Sequence, residues 1–155
     1  MYLSVIIPTY NEAKRIGSTL QAVCSWLAKQ DFVSEVIVVN NRSTDATADI
    51  VRGMQHQFRS IRLIDEKRPG KGYAVITGML FGTGEVRLFM DADNSTTIDH
   101  FDAMRPLLEQ GIAVVIGSLA VHGSKVVRGG SEPLWRQLLG KAGNLWIQIW
   151  AVPGV

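Results

Sequence analysis

Val86-Arg87-Leu88-Phe89-Met90-Asp91-Ala92-Asp93 is the stretch on which the reading of this chain turns. A run suited to a buried strand passes without a break into two carboxylates separated by one residue. Side chains alternate along extended chain, so positions 91 and 93 return to one side, roughly 6.5–7 Å apart along the backbone. Parallel α/β sheets bind ligands beyond the carboxyl ends of their strands, so paired acids at such an end mark a candidate site.

Working outward, the same alternation of short apolar runs and helical periods recurs. Leu3 to Ile7, closed by Pro8, Val36 to Val39, and Ile61 to Ile64 read as strands before it, and Ala113 to Ile116 as a fifth strand after it. Between them Ile16, Leu20, Val23 and Leu27 fall at helical spacing, with Asn11 as the expected N-cap. Ser43-Thr44-Asp45 is expected to cap a helix with Ile50, Val51 and Met54 inside, and Gly70-Lys71-Gly72 to open another reaching about Leu80. A helix carrying Ile98, Phe101, Met104 and Leu108 inward contains Pro106, which lacks an N–H donor and should kink or split it. Apolar strands separated by helices predict an α/β fold: a Rossmann-like, mostly parallel central sheet with helices on both faces.

Composition narrows the function classes. The 155 residues suit one domain, 46% of them are apolar, and the net charge of +2 offers no broad field for nucleic acid. Cys24 stands alone, so no internal disulfide is available, and a reducing, cytoplasmic location is expected. No Cys/His set has zinc spacing, and His56, His100 and His122 read as surface residues. Gly82-Thr83-Gly84 precedes a strand instead of opening a helix, so it is no dinucleotide fingerprint. Over residues 134–150, Trp135, Leu139, Ala142, Trp146 and Trp150 line one face of a helical pattern. Arg136 and Lys141 argue against a membrane span, leaving a helix that packs in a core, meets a second copy or lies on a membrane surface.

Three strand ends carry the chemistry: Pro8-Thr9-Tyr10-Asn11-Glu12, Asn40-Asn41-Arg42-Ser43-Thr44-Asp45, and Asp91-Ala92-Asp93. A hard divalent cation takes one or two carboxylates and fills its shell with water and phosphate oxygens. A diphosphate leaving group needs that arrangement, because charge collects on it as its bond breaks. Taken alone, an Asp after a strand is as well explained as a helix cap; the company of the other two strand ends favours a site.

In these motifs the chain resembles the family-2 glycosyltransferases of the GT-A fold. The likeness rests on residues 4–12, on Val38 to Asp45, on Gly70-Lys71-Gly72 and on Asp91-Ala92-Asp93, and it extends through Gly117-Ser118. Glu132-Pro133-Leu134-Trp135-Arg136 is most similar to the polyprenyl-phosphate (dolichyl-phosphate) glucosyl- and mannosyltransferases. The resemblance implies transfer of a hexose, with inversion, from a UDP-glucose or GDP-mannose type donor to a polyprenyl phosphate or similar acceptor. It implies Mg²⁺ or Mn²⁺ held by Asp91 and Asp93, which would also be the catalytic pair. Pro8, Thr9, Tyr10, Glu12, Asn40, Asn41, Lys71 and Ala92 would complete the nucleotide-sugar site. Residues 1–118 would be the donor-binding part and 119–155 the start of an acceptor-side region, placed peripherally on the cytoplasmic face of a membrane.

Three departures stand out. The family has acidic residues where this chain has Asn40 and Asn41, and an arginine where it has Leu119. Restoring a carboxylate at position 41 is therefore expected to tighten donor binding. The chain also stops at Val155, where relatives of the subgroup continue, so a C-terminally truncated piece is expected. Two other readings stay open: a truncated, non-catalytic nucleotide-binding fragment, and a GT-A-like nucleotidyltransferase.

Overall fold

The computed structural model describes residues 1–117, of which Met1–Val115 form one unit. The elements follow in the order β1 (Leu3–Thr9), α1 (Ile16–Leu27), β2 (Ser34–Asn40), α2 (Thr47–Gln57), β3 (Ile61–Asp65), α3 (Lys71–Phe81) and β4 (Val86–Phe89). A 3₁₀ turn over Ile98–His100 then leads into α4 (Phe101–Glu109). The four strands pair in parallel in the order β3-β2-β1-β4.

The burial follows from the pleat. Every residue of β1 is buried. Leu3, Val5 and Ile7 join Ile16, Leu20, Val23 and Leu27 of α1, Val51 of α2 and Phe101 of α4 in one core. Ile6, with Ile37 and Val39 of β2, faces the other way and packs on Ala74 of α3. Each such aliphatic side chain contributes roughly 1.5–3 kcal/mol when taken from water, so a one-residue slip of β1 would exchange both cores at once. The helix α3 comes so close to the sheet that a Cβ on Gly78 would stand 2.3 Å from Ile6 Cγ2.

The strand order sets where a ligand goes. From β1 the chain builds outward to β2 and β3, then returns across β1 to place β4 on its other side. That reversal opens a crevice beyond the carboxyl ends of β1 and β4, the ordinary ligand position in open parallel sheets.

Several local expectations change. Ser43-Thr44-Asp45 does not cap α2, whose cap position is Ala46 with no side-chain cap bond, although Asp45 just before it accepts the Thr47 N–H. Asn11 does not cap α1: it has φ 54°, and the cap position is Arg15. Its side-chain oxygen instead accepts the Thr44 N–H (2.8 Å) while its own N–H donates to Ser43 Oγ (3.0 Å), tying the loops after β1 and β2 together. Pro106 lies inside α4 without splitting it, the helix running unbroken from Phe101 to Glu109. Residues 113–116 form no strand. Their β-branched run supplies propensity, but a strand also needs a neighbour to share its ladder, and among the described residues none pairs with it. The helical pattern over 134–150, with its membrane or self-association reading, and Leu119 lie outside the described residues.

Candidate functional site

At the carboxyl edge of the sheet lies a cleft of ≈ 680 Å³. Three loops and one helix start build it. Pro8, Thr9, Tyr10 and Glu12 come from the end of β1, Asn41 from the end of β2, Lys71 from the start of α3, and Asp91, Ala92 and Asp93 from beyond β4. All ten residues expected from sequence except Asn40 therefore line one cavity. Asn40 is turned aside: its amide donates to Asp65 Oδ1 (2.8 Å) and its oxygen accepts the Ser43 N–H (3.2 Å).

The acidic wall is held from beneath. Met90 continues the β4 ladder by donating its N–H to the Ile6 carbonyl (3.0 Å). Thr19 of α1, itself buried, donates its hydroxyl to the Ala92 carbonyl (2.7 Å). Ala92 is buried, which leaves the flanking Asp91 and Asp93 exposed on the cleft wall. Asp93 accepts the Ser95 N–H (3.0 Å), and this bond, assisted by the positive charge of Arg15, holds its carboxyl below the usual aspartate range. Asp93 is therefore an anion at neutral pH.

Opposite stands Lys71, whose Nζ lies 2.6 Å from Asp91 Oδ1. Both partners are half-exposed, so the pair adds little to stability; its consequence is a cation held at the mouth of α3. The preceding Gly70 has φ 119°, a conformation that favours glycine, and it lets the chain turn into the helix. The first N–H groups of an α-helix lack carbonyl partners, so this corner suits an anion.

Other predicted residues serve the walls more than the cavity. Glu12 spends its carboxylate on Arg15 (2.8 and 3.0 Å), and its N–H donates to Thr47 Oγ1 (2.8 Å). Thr9 is buried and donates its hydroxyl to the Val39 carbonyl (3.2 Å). Tyr10 is exposed at the rim. Sequence reasoning missed Arg42, Thr44, Pro69, Gly70 and Ala74 as lining residues. Arg42 and Thr44 lay inside the second-strand motif, Gly70 opens Gly70-Lys71-Gly72 and Pro69 precedes it, so proximity in sequence was the available signal. Arg42 has φ 62°, uncommon for a residue with a Cβ.

The cleft fits a cation brought with a ligand better than a resident one. Among the described residues no three His, Cys, Asp or Glu side chains gather as a metal site. Two carboxylates beside an anion-ready corner match Mg²⁺ or Mn²⁺ whose remaining ligands are phosphate oxygens and water.

Fold and cleft together define a parallel α/β protein with its polar groups gathered at the carboxyl edge, in the GT-A arrangement. Residues 4–150 match glycosyl transferase family 2, and the chain belongs to that family. It is 35% identical, over its whole length, to a dolichyl-phosphate beta-glucosyltransferase of Trichomonas vaginalis, 49% of which is covered. It is 38% identical, over 70% of its length, to the dolichyl-phosphate beta-glucosyltransferase of Drosophila melanogaster, 36% of which is covered. The chain thus spans half or less of these relatives. Among solved structures it is similar to S. aureus TarS in complex with UDP, at 30% identity and a TM-score of 0.57, over 71% of this chain and 32% of that one. A Pyrobaculum calidifontis mannosyltransferase in complex with GDP-Man and Mn²⁺ is 36% identical with a TM-score of 0.52, over 59% of this chain and 27% of that one.

Proposed function

We propose that this chain is the donor-binding part of an inverting hexosyltransferase that moves glucose or mannose from a nucleotide diphosphate sugar to a polyprenyl phosphate. The observation that carries the reading is the convergence of Lys71, Asp91 and ionised Asp93 on one cleft at the topological switch of the sheet. Two dolichyl-phosphate glucosyltransferases among the relatives, and a neighbour in complex with GDP-Man and Mn²⁺, support the class of donor and acceptor.

In this reading the nucleotide lies over the ends of β1 and β2, and its diphosphate reaches toward Asp91 and Asp93. A divalent cation bound there would neutralise charge on the departing diphosphate. Lys71 and the N–H groups opening α3 would hold the phosphate oxygens, and the Asp93 carboxylate, kept ionised by Ser95, would face the cation. A phosphate acceptor is already an oxyanion near neutral pH and needs little general-base help. What remains for the protein is alignment and electrostatic stabilisation. A polyprenyl acceptor requires working at a membrane surface. Among the described residues no helix is long and apolar enough to cross a membrane.

Calorimetric titration of UDP-glucose and GDP-mannose with and without Mn²⁺ tests the binding half. Metal-dependent binding of one of them is expected; binding of neither, or binding indifferent to metal, would overturn the assignment. A radiolabelled-sugar assay with polyprenyl phosphate tests the transfer.

A further inference from the structure

Asn41 occupies the position at which the family resemblance calls for an acid, yet its side chain is committed elsewhere. The residue is buried, and its own N–H donates to the Thr9 carbonyl at the end of β1 (2.8 Å). Its amide nitrogen donates to the carbonyl oxygens of Arg68 (2.7 Å) and Glu66 (3.4 Å). Its amide oxygen accepts the Gly70 N–H (2.9 Å). One side chain thus grips residues 66–70 at three points, and the residue after Gly70 is Lys71.

We propose that Asn41 is a positioning residue: its amide clamps the Glu66–Gly70 loop and so sets where Lys71 stands opposite Asp91. This rests on the donor-binding reading above and assigns Asn41 a task other than recognition of the base. The argument is one of donors and acceptors. Only an amide of this size offers two N–H groups to two carbonyls and an oxygen to an N–H from a single planar group. An ionised carboxylate would keep the Gly70 contact and set an anion against the Arg68 and Glu66 carbonyls, both buried donors being lost. The asparagine is matched to this loop, and a carboxylate here loosens the site.

The test uses the full chain and its Asn41→Asp variant, titrated with UDP, GDP and inorganic pyrophosphate in the presence of Mn²⁺. Pyrophosphate has no base, so it separates the two roles. Equal weakening of pyrophosphate and of the nucleotide that binds, by at least tenfold, is expected. The ratio to wild type should recover as acidification protonates the new carboxyl and restores a donor toward Arg68. Unchanged pyrophosphate binding with altered nucleotide binding, or tighter nucleotide binding, would overturn the proposal. Amide hydrogen exchange without ligand gives a second readout. Exchange at Gly70, whose N–H has the Asn41 oxygen as acceptor, should quicken at least tenfold in Asn41→Ala while the β1 and β2 amides stay protected, and unchanged exchange at Gly70 would overturn it. If Asn41→Asp does not fold, Asn41→Ala takes its place in the titrations. A wild-type chain that binds neither nucleotide nor pyrophosphate would sink the donor-binding reading and leave the exchange result to decide the clamp.

Discussion

Glu35, at the far end of the sheet from the cleft, makes the strongest stability prediction. Only 4% exposed, it receives the Ser4 hydroxyl (2.8 Å) and the Thr83 N–H and hydroxyl (2.8 and 2.7 Å) on one oxygen. Its other oxygen takes Arg62 Nη1 (2.9 Å). Burial by itself pushes the carboxyl up, but the bonds from Thr83, Arg62 and Ser4 outweigh it and pull it from the ordinary 4.5 down to about 2. At ~1.4 kcal/mol per tenfold change in proton affinity, that fall corresponds to roughly 3 kcal/mol. Because the folded value is depressed, the stabilisation is fully present above about pH 4.5 and is lost as pH falls toward 2. Glu35→Gln removes the charge and turns an NH₂ group toward one of the donors. The variant should be about 2–3 kcal/mol less stable than wild type at pH 7, with the gap closing between pH 4.5 and 2. Urea unfolding followed by circular dichroism across that range measures the gap, and taking the difference cancels carboxylates common to both proteins. Arg62 is half-exposed, so salt should trim its share while leaving the buried bonds from Ser4 and Thr83 intact. A gap that is the same at every pH would refute the reasoning, since it would mean that the charge of Glu35 contributes nothing.

Asp93→Ala should reduce Mn²⁺-dependent nucleotide binding at least tenfold, about 1.4 kcal/mol or more, by calorimetry; full retention of metal-dependent affinity would remove Asp93 from the site. Lys71→Ala should weaken pyrophosphate and nucleotide alike while shifting unfolding by less than about 1 kcal/mol, because its ion pair is half-exposed. Gly78→Ala should cost about 1–3 kcal/mol in urea unfolding, since the new methyl meets Ile6 Cγ2 and must push α3 off β1; an unchanged midpoint would mean that the helix yields freely.

The sequence by itself determined the order and kind of the elements and the chemistry at their ends. Period-2 and period-3.6 patterns are local properties, so β1 to β4 and α1 to α3 could be read within a few residues, as could the three motifs that meet in the cleft. The same logic overreached at residues 113–116, because a β-branched run states a propensity and only a paired neighbour makes it a strand. It also misassigned Asn11, a fair N-cap by type whose oxygen is taken by Thr44 across the loop. Tertiary structure alone decided that β4 returns beside β1, and that this reversal opens the crevice. It alone turned Asn40 toward Asp65 and committed Asn41 to the Glu66–Gly70 loop. Two adjacent amides look alike in sequence, since residue type gives a side chain's capacity for hydrogen bonds. Which partners fill that capacity depends on chain some 25 to 30 residues away, brought alongside only when β3 pairs with β2.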